Sequence, residues 1–187
     1  MIKSLLFSLI GVSADQLTDY VTAPDANYNW FEESDKGFKT LWGNTARILN
    51  VTSQQWMDET KAQAPGGAIW THTAIVVIPK KLTTKNIATV YLTGNCNGDH
   101  QGGLDKKSED VIVVDELAHN TGSIAVAVQQ IPNCPIVFPG DPLKKSRKED
   151  AIMAMAWRSF IDDPEHDISW IPRLPMVKAA FQVMRAV

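Results

Sequence analysis

The chain has 187 residues and a formal net charge of −3, with 44% hydrophobic and 21% charged residues. This length and composition predict one globular domain with a sizeable core. Basic residues gather only at 144–148, and Glu149 and Asp150 follow directly. We therefore expect no nucleic-acid partner.

Residues 1–14 have the order of regions of a secretory signal peptide. Lys3 supplies the positive start, residues 5–10 are apolar, and residues 12–14 (VSA) form a small-residue cleavage pattern. The alternative is a buried N-terminal strand or helix. We predict a secreted, extracellular protein whose domain covers residues 15–187. No later run reaches the roughly 18 apolar residues that span a bilayer, so we predict no membrane span.

The first half of the domain favours strands. Residues 15–42 are aromatic and turn-rich, which predicts an irregular lead-in with one short strand near its end. Residues 45–56, 70–78 and 88–93 are rich in β-branched and apolar residues and predict three strands.

The sequence of the second half predicts a helix, a strand and then two further helices. Residues 108–120 contain a strand-like Val-Ile-Val-Val run, but a helix is needed there to connect two parallel strands, so we predict a helix. Residues 124–128 form an unbroken apolar run, typical of a strand covered on both faces in a parallel sheet. A proline-rich loop then leads to Ser146 and Glu149, whose spacing predicts a capping box before an apolar-faced helix. A last helix is expected from Leu174 onwards.

Several motifs resemble the PhoPQ-activated pathogenicity-related protein family, which includes a secreted autocrine repressor of proliferation. They are residues 130–133 (QIPN), 135–138 (PIVF), 140–142 (GDP), 145–147 (KSR) and 149–152 (EDAI), supported by 27–30 (NYNW) and 174–179 (LPMVKA). The resemblance implies the α/β class, as the N-terminal half of an α/β-hydrolase-type three-layer fold with a mostly parallel sheet. In that fold the nucleophile elbow follows the helix that begins near Leu174, and this chain ends inside that helix. We therefore expect no catalytic residue in this chain.

The loop after residues 88–93 is the candidate for an oxyanion hole. In α/β-hydrolases the loop after the third strand supplies one oxyanion N–H. By the resemblance, Asn95 or Cys96 would supply it, and Gly94 would let the backbone approach a substrate closely. The alternative is an ordinary Gly/Asn turn.

Cys96 and Cys134 each follow a predicted strand. Loops that leave parallel strands lie at one sheet edge, so a disulfide is possible in a secreted protein. Two separate buried thiols fit equally well. Asn50, in the sequence Asn-Val-Thr, is the one glycosylation acceptor, and we expect it to carry a glycan.

The remaining polar candidates have structural interpretations. Asp141, Arg147, Glu149 and Asp150 predict a cluster in which Arg147 pairs with Asp141 or Asp150 and fixes the loop to the helix. The four histidines lack metal-ligand spacing, and no cofactor motif is present. Ser53, Ser123 and Ser146 do not fit a nucleophile elbow. We therefore predict no metal and no cofactor.

These observations lead to one functional expectation and two alternatives. The first is a non-catalytic signalling protein, similar to the proliferation repressor, that binds a cell-surface protein partner. The second is the N-terminal fragment of a secreted serine hydrolase, esterase- or peptidase-like, that lacks its catalytic half. The third is a truncated product without a function of its own.

An exposed apolar edge strand would make the isolated chain poorly soluble or lead it to bind a partner.

Overall fold

The computed structural model describes residues 14–98 and 104–187. In chain order the elements are α1 (Ala14–Thr22), β1 (Asn29–Glu32), a 3₁₀ turn (Ser34–Lys36), β2 (Phe38–Lys39), β3 (Thr45–Gln55), β4 (Ile69–Ile78), β5 (Ala88–Leu92), α2 (Glu109–Thr121), β6 (Ile124–Val128), β7 (Ile136–Val137), β8 (Ser146–Arg147), α3 (Asp150–Asp162), a second 3₁₀ turn (Ile168–Trp170) and α4 (Arg173–Ala186). The strands predicted at 45–56, 70–78, 88–93 and 124–128 are confirmed as β3, β4, β5 and β6.

The larger sheet has six strands in the order β1-β3-β4-β6-β5, and β2 also pairs with β3. β1, β2 and β4 run antiparallel to β3, and β4 runs antiparallel to β6. Among the strands that the structure describes, only β5 and β6 pair in parallel. The α/β class is confirmed, but the expectation of a mostly parallel sheet is wrong. The apolar run of β6 reflects burial on both faces, and burial does not fix the direction of its neighbours.

Helices pack on both faces of this sheet. On one face, Val111 and Val114 of α2 pack against Ile48 and Ile75. On the other, Val183 of α4 packs against a cluster that includes Val51, Val126 and Val128. A sheet between two helices buries both of its apolar faces, which is the layered arrangement of α/β folds.

A third core lies beyond the end of the sheet and is built on aromatic rings. Trp56 and Trp70 are both buried and meet edge to face, with ring centroids 5.3 Å apart. Phe138 packs against Trp56, and Ile152 of α3 closes the cluster. The indole N–H of Trp56 donates to the Ser169 carbonyl oxygen at 2.9 Å, so the buried ring has a hydrogen-bond partner.

The ambiguous segment at 108–120 is confirmed as a helix. Glu109 and Asp110 lie in its first turn, where carboxylates favour the helix dipole. Gly122 ends it in a left-handed conformation, with φ of 62°, and donates its N–H to the Ala118 carbonyl at 3.1 Å. The acidic first turn, the glycine at the C-terminal end and the burial of the valines against the sheet together outweigh the strand preference of those valines.

The predicted capping box is wrong. Ser146 belongs to β8 and pairs with Val137 of β7. Glu149 takes the N-cap position of α3 with φ of 44°, and its side chain makes no cap hydrogen bond. The two-stranded β7–β8 sheet holds Ser146 away from the helix start, so the sequence spacing does not place its hydroxyl on the first turn.

The lead-in predicted at residues 15–42 is more regular than expected, with α1, β1 and β2 inside residues 14–42. α1 packs against α4, and this contact orders a segment whose sequence has weak signals of its own. The predicted signal peptide lies outside the described residues except for Ala14, which begins α1. Within the described ranges, the helices are too short or too polar to cross a lipid bilayer.

Candidate functional site

A cleft of about 430 Å³ opens on the face of the large sheet that carries α2. The pleat explains its position. Ile48 and Asn50 of β3 point to the same side because strand side chains alternate, and so do Ile75 and Thr73 of β4. The isoleucines pack under α2, whereas Asn50 and Thr73 lie beyond the helix and line the cleft. The change from aliphatic to polar residues along this face marks the edge of the helix layer.

The strand register places residues of neighbouring strands side by side on the floor of the cleft. Phe31 of β1 is opposite Asn50 of β3, and Asn50 is opposite Thr73 of β4. Directly opposed residues share one face of a sheet and have adjacent side chains. Thr71 lies one row further along β4 and also lines the cleft. The backbone of the cleft floor is therefore held in place by the pairing of β1, β3 and β4.

The wall next to β6 is fixed by buried hydrogen bonds. The side-chain Nε2 of Gln129 donates to Oδ2 of Asp110 at 2.7 Å, and the side-chain Nδ2 of Asn95 donates to the same oxygen at 3.2 Å. Gln130 has φ of 61°, and its side-chain oxygen accepts from the Thr73 N–H at 2.7 Å. These contacts join the first turn of α2, the loop after β5 and the end of β6.

A buried serine–histidine contact lies on the cleft wall and was missed by the sequence analysis. Nδ1 of His72 lies 3.3 Å from the Gln129 carbonyl oxygen, which can only accept, so this nitrogen carries the ring proton. Nε2 then accepts from the Ser53 hydroxyl at 2.8 Å. Burial lowers the pKa of His72 to about 4, so the ring is neutral at pH 7. The contact depends on the β3–β4 register and its irregularity between Thr52 and Gln54, which the sequence spacing does not reveal.

The three oxyanion-loop candidates lie at the cleft end of β5. The Gly94 carbonyl accepts from the Gln130 N–H at 2.8 Å. Asn95 has φ of 63°, a left-handed conformation that asparagine tolerates. Cys96 is buried and lines the cleft. The next N–H, of Asn97, already donates to the Cys134 carbonyl at 2.7 Å.

Cys96 and Cys134 are joined by a disulfide, with Cα atoms 4.7 Å apart. The bond links the loop after β5 to the loop after β6, at the edge where these two parallel strands end. Because Cys96, Asn97 and Gly98 line the cleft, the disulfide holds part of its wall against the sheet.

Asn50, the predicted glycosylation acceptor, is half-buried in the middle of β3 and lines the cleft. Thr52, the third residue of the acceptor sequence, is on the same face two residues further along the strand. A glycan on Asn50 would therefore leave the protein through the cleft.

The predicted polar cluster forms only in part. Arg147 pairs with Asp141 through Nη2 at 2.8 Å and Nε at 3.0 Å, and the partner is not Asp150. Burial acts to raise the pKa of Asp141, but the Leu143 N–H and the Arg147 guanidinium together hold the pKa below its ordinary value. Glu149 is exposed and points towards Gly94, and Asp150 lies exposed in the first turn of α3.

Metal ligands do not converge in the part of the chain that the structure describes: no three side chains of His, Cys, Asp or Glu are grouped to hold an ion. Of the described residues that line the cleft, half carry carboxamides or hydroxyls, and the oppositely charged side chains are Glu33 and Lys36. Their charged groups are 2.8 Å apart. Such a lining supplies hydrogen-bond donors and acceptors with no net charge.

Fold and site together define a mixed α/β protein with a neutral, polar cleft on one sheet face. The chain belongs to the PhoPQ-activated pathogenicity-related protein family, whose sequence profile matches residues 17–187. Over 186 residues it is 36% identical to autocrine proliferation repressor protein A from Dictyostelium discoideum. That match covers 98% of this chain and 34% of the relative, so the chain spans about one third of the relative's length. A comparison with solved structures found no significant match.

Proposed function

We propose that this chain is part of a secreted signalling protein that acts by binding a partner at the cell surface, without catalysis by its own residues. The observation that carries this proposal is its 36% identity, over nearly its whole length, to a protein named as an autocrine proliferation repressor. An autocrine factor leaves the cell and is recognised from outside it, which accords with the signal-like sequence of residues 1–14.

The polar groups of the described chain support binding over chemistry. Ser53, the serine that hydrogen-bonds a histidine, is buried, and both cysteines are in a disulfide. A nucleophile must reach its substrate and be activated by an adjacent base. The cleft, in contrast, is open and presents neutral hydrogen-bonding groups on a rigid floor.

The test is binding of the purified, disulfide-bonded chain to D. discoideum cells. Fluorescently labelled chain should bind saturably, unlabelled chain should compete, and the added protein should slow the increase in cell density. A chain unfolded by reduction and alkylation is the control and should do neither. Binding that unlabelled chain cannot displace, together with unchanged growth, would contradict the proposal.

One observation favours the N-terminal part of a secreted serine hydrolase as the second candidate. β5 precedes β6 in the chain but lies outside it in the sheet, with α2 as the parallel crossover between them. The order β3-β4-β6-β5 resembles the front of an α/β-hydrolase sheet, in which the strand before the nucleophile would pair next to β5. Labelling of a longer form of the protein by a fluorophosphonate probe, at a serine beyond Val187, would favour this candidate. Absence of labelling would favour the first.

A further inference from the structure

We propose that the cleft binds a neutral carbohydrate, with the carboxamides and hydroxyls of its floor contacting sugar hydroxyls and Phe31 packing against a pyranose ring. The inference rests on the proposed function in one respect: it names the chemical group that such a binding protein recognises.

Several polar side chains in the cleft are free to bind a ligand. The side chains of Asn50, Thr71 and Asn97 line it and make no hydrogen bond to any other residue within 14–98 and 104–187. A carboxamide offers two donors and an acceptor, and a hydroxyl offers both roles. Sugar hydroxyls also act as both donor and acceptor, so they complement these groups.

The charges on the described residues of the cleft favour an uncharged ligand. Glu33 and Lys36 have opposite signs and are paired with each other at 2.8 Å. The neutral His72 adds no charge at pH 7. A phosphate or sulfate group would have to compete with Glu33 for the lysine, and a cationic group would have to compete with Lys36 for the carboxylate. Neutral hydroxyl-rich ligands face neither competition.

Phe31 lies beside the cleft, outside the residues that line it, and supplies an apolar surface at its border. Its side chain is 52% exposed although it lies on a paired strand, and it is directly opposite Asn50 on the cleft face. A flat ring on a rigid strand offers a large apolar surface with little conformational entropy to lose. A pyranose has one face of C–H groups and an equator of hydroxyls, so the ring of Phe31 and the carboxamide of Asn50 match its two kinds of surface.

The size and lining of the cleft distinguish this ligand from a lipophilic one. A volume of about 430 Å³ falls within the range of small-molecule sites, which is roughly 300–1,000 Å³. Most such sites are lined by apolar groups. An apolar ligand here would remove Asn50, Thr71 and Asn97 from water without giving them partners, which is costly.

The experiment must first remove any glycan on Asn50, because that glycan would occupy the cleft. Thr52→Ala removes the acceptor sequence and keeps the Asn50 carboxamide. Thr52 is on the cleft face opposite Thr71, at the border and not among the lining residues, so the change leaves the lining side chains in place. All binding measurements use this background.

Saturation-transfer NMR then tests N,N′-diacetylchitobiose, cellobiose, maltotriose and lactose up to about 10 mM, which covers weak millimolar binding. A sulfated heparin disaccharide is the charged probe.

We expect at least one neutral saccharide to bind and the sulfated disaccharide not to bind. Phe31→Ala should weaken binding about tenfold, which corresponds to the loss of one aromatic contact. Trp30→Ala is the matched control: Trp30 is the next residue on β1, is 47% exposed and points to the opposite face, so its variant should bind within about twofold of the parent. Asn50→Ala is a second cleft variant that should also weaken binding.

Three results would overturn the inference. The first is no saturation transfer from any neutral saccharide, and the second is equal effects of Phe31→Ala and Trp30→Ala in variants with unchanged melting temperatures. The third is preferred binding of the sulfated disaccharide. The outcome is separable from the proposed function. If cells bind the chain competitively while no saccharide does, the carbohydrate inference fails alone. If saccharides bind while cells do not, the signalling proposal fails alone.

Discussion

The ammonium nitrogen of Lys178 lies 4.0 Å from the carboxylate of Asp25, and both side chains are largely buried. The same ammonium group is 5.4 Å from the centre of the Tyr20 ring. These contacts join α4 to the segment between α1 and β1. The nearby Tyr28 hydroxyl donates to the Gln182 carbonyl at 3.3 Å. The two supporting motifs of the family resemblance, residues 27–30 and 174–179, therefore lie at one interface.

Removal of Asp25 should lower the free energy of unfolding more than removal of Lys178 does. Burial lowers the pKa of Lys178, although Asp25 acts to raise it, so the charge is costly where it lies. Lys178→Met should lower the free energy of unfolding by only about 1 kcal/mol. An apolar chain of similar length fills the space, and the Asp25 carboxylate loses its counter-charge but keeps two backbone N–H donors, those of Asn27 and Gln55. Asp25→Ala should lower it by about 2–3 kcal/mol, since it leaves the ammonium buried without a counter-charge and removes the acceptor of the Gln55 N–H. Urea denaturation measures both, and a methionine variant as destabilised as the alanine variant would refute the argument.

A buried carboxylate on α2 should be important for stability. Asp115 accepts from the Thr40 hydroxyl at 2.6 Å, the Trp42 N–H at 3.0 Å and the Asn44 amide at 2.8 Å. Asp115→Ala leaves these donors without their acceptor and should lower the free energy of unfolding by about 3 kcal/mol. Glu116→Gln, at the next and exposed position, is the control and should cost less than about 0.5 kcal/mol. Similar urea midpoints for the two variants would count against this role of Asp115.

The sequence predicted the elements better than their arrangement. Residues 69–78 and 124–128 are strongly strand-forming, and the helix at 109–121 was predicted because two parallel strands need a crossover between them. Strand direction was wrong because residue type reports burial, whereas direction follows from the connections. Ser146 and Glu149 have the spacing of a capping box, but pairing of Ser146 with Val137 is a tertiary contact that spacing cannot reveal.

The site was predicted only at its margin. The loop at 94–96 was singled out because the family resemblance places an oxyanion-hole N–H there, and its residue Cys96 lines the cleft. The cleft floor was not, because Asn50 and Thr73, with Phe31 at their border, come from three segments and become neighbours only through the strand register. The same holds for Ser53 and His72, whose contact depends on an irregularity in the β3–β4 pairing.

The stability of the protein should depend on pH through His72. Its pKa is about 4 when folded and 6.5 ordinarily, so the unfolded chain binds more protons between these values. Stability is therefore fully present above about pH 6.5 and falls as the pH drops towards 4. At 1.36 kcal/mol per pKa unit, the loss from this residue is roughly 3 kcal/mol. Urea denaturation at several pH values measures it. An imidazole NMR signal of His72 that titrates near 6.5 in the folded protein would contradict the burial argument.

Loss of the disulfide should destabilise the fold and loosen the cleft. The cysteines are 38 residues apart in sequence. Closing a loop of that length contributes roughly 3–4 kcal/mol in the chain-entropy description, so the double variant Cys96→Ser and Cys134→Ser should lose about that much. Dithiothreitol added to the parent protein should lower its urea midpoint by a similar amount. A midpoint that is the same with and without reductant would show that the bond does not constrain the chain.

The edge of the large sheet should promote association. β5 is the outermost strand on its side of the described sheet, and Leu92 at its end is 51% exposed. Unpaired strand edges with apolar side chains are sites of intermolecular pairing. Light scattering after gel filtration should show mass that rises with concentration, and Leu92→Lys should reduce the effect. Leu143→Lys is the control, since Leu143 is 64% exposed and lies in the loop between β7 and β8, not on a strand of the large sheet. A chain that stays monomeric at every concentration would contradict this expectation.

The central claim is that the polar cleft on the sheet face is where this protein binds its ligand. The most direct measurement is a map of backbone amide shifts on titration of the Thr52→Ala chain with the saccharide that binds in the NMR panel. The account predicts that the largest shifts fall on Phe31, Asn50, Thr71, Thr73 and Asn97, with little change along α3. Shifts centred on α3, or spread over the surface without a maximum at the cleft, would contradict it.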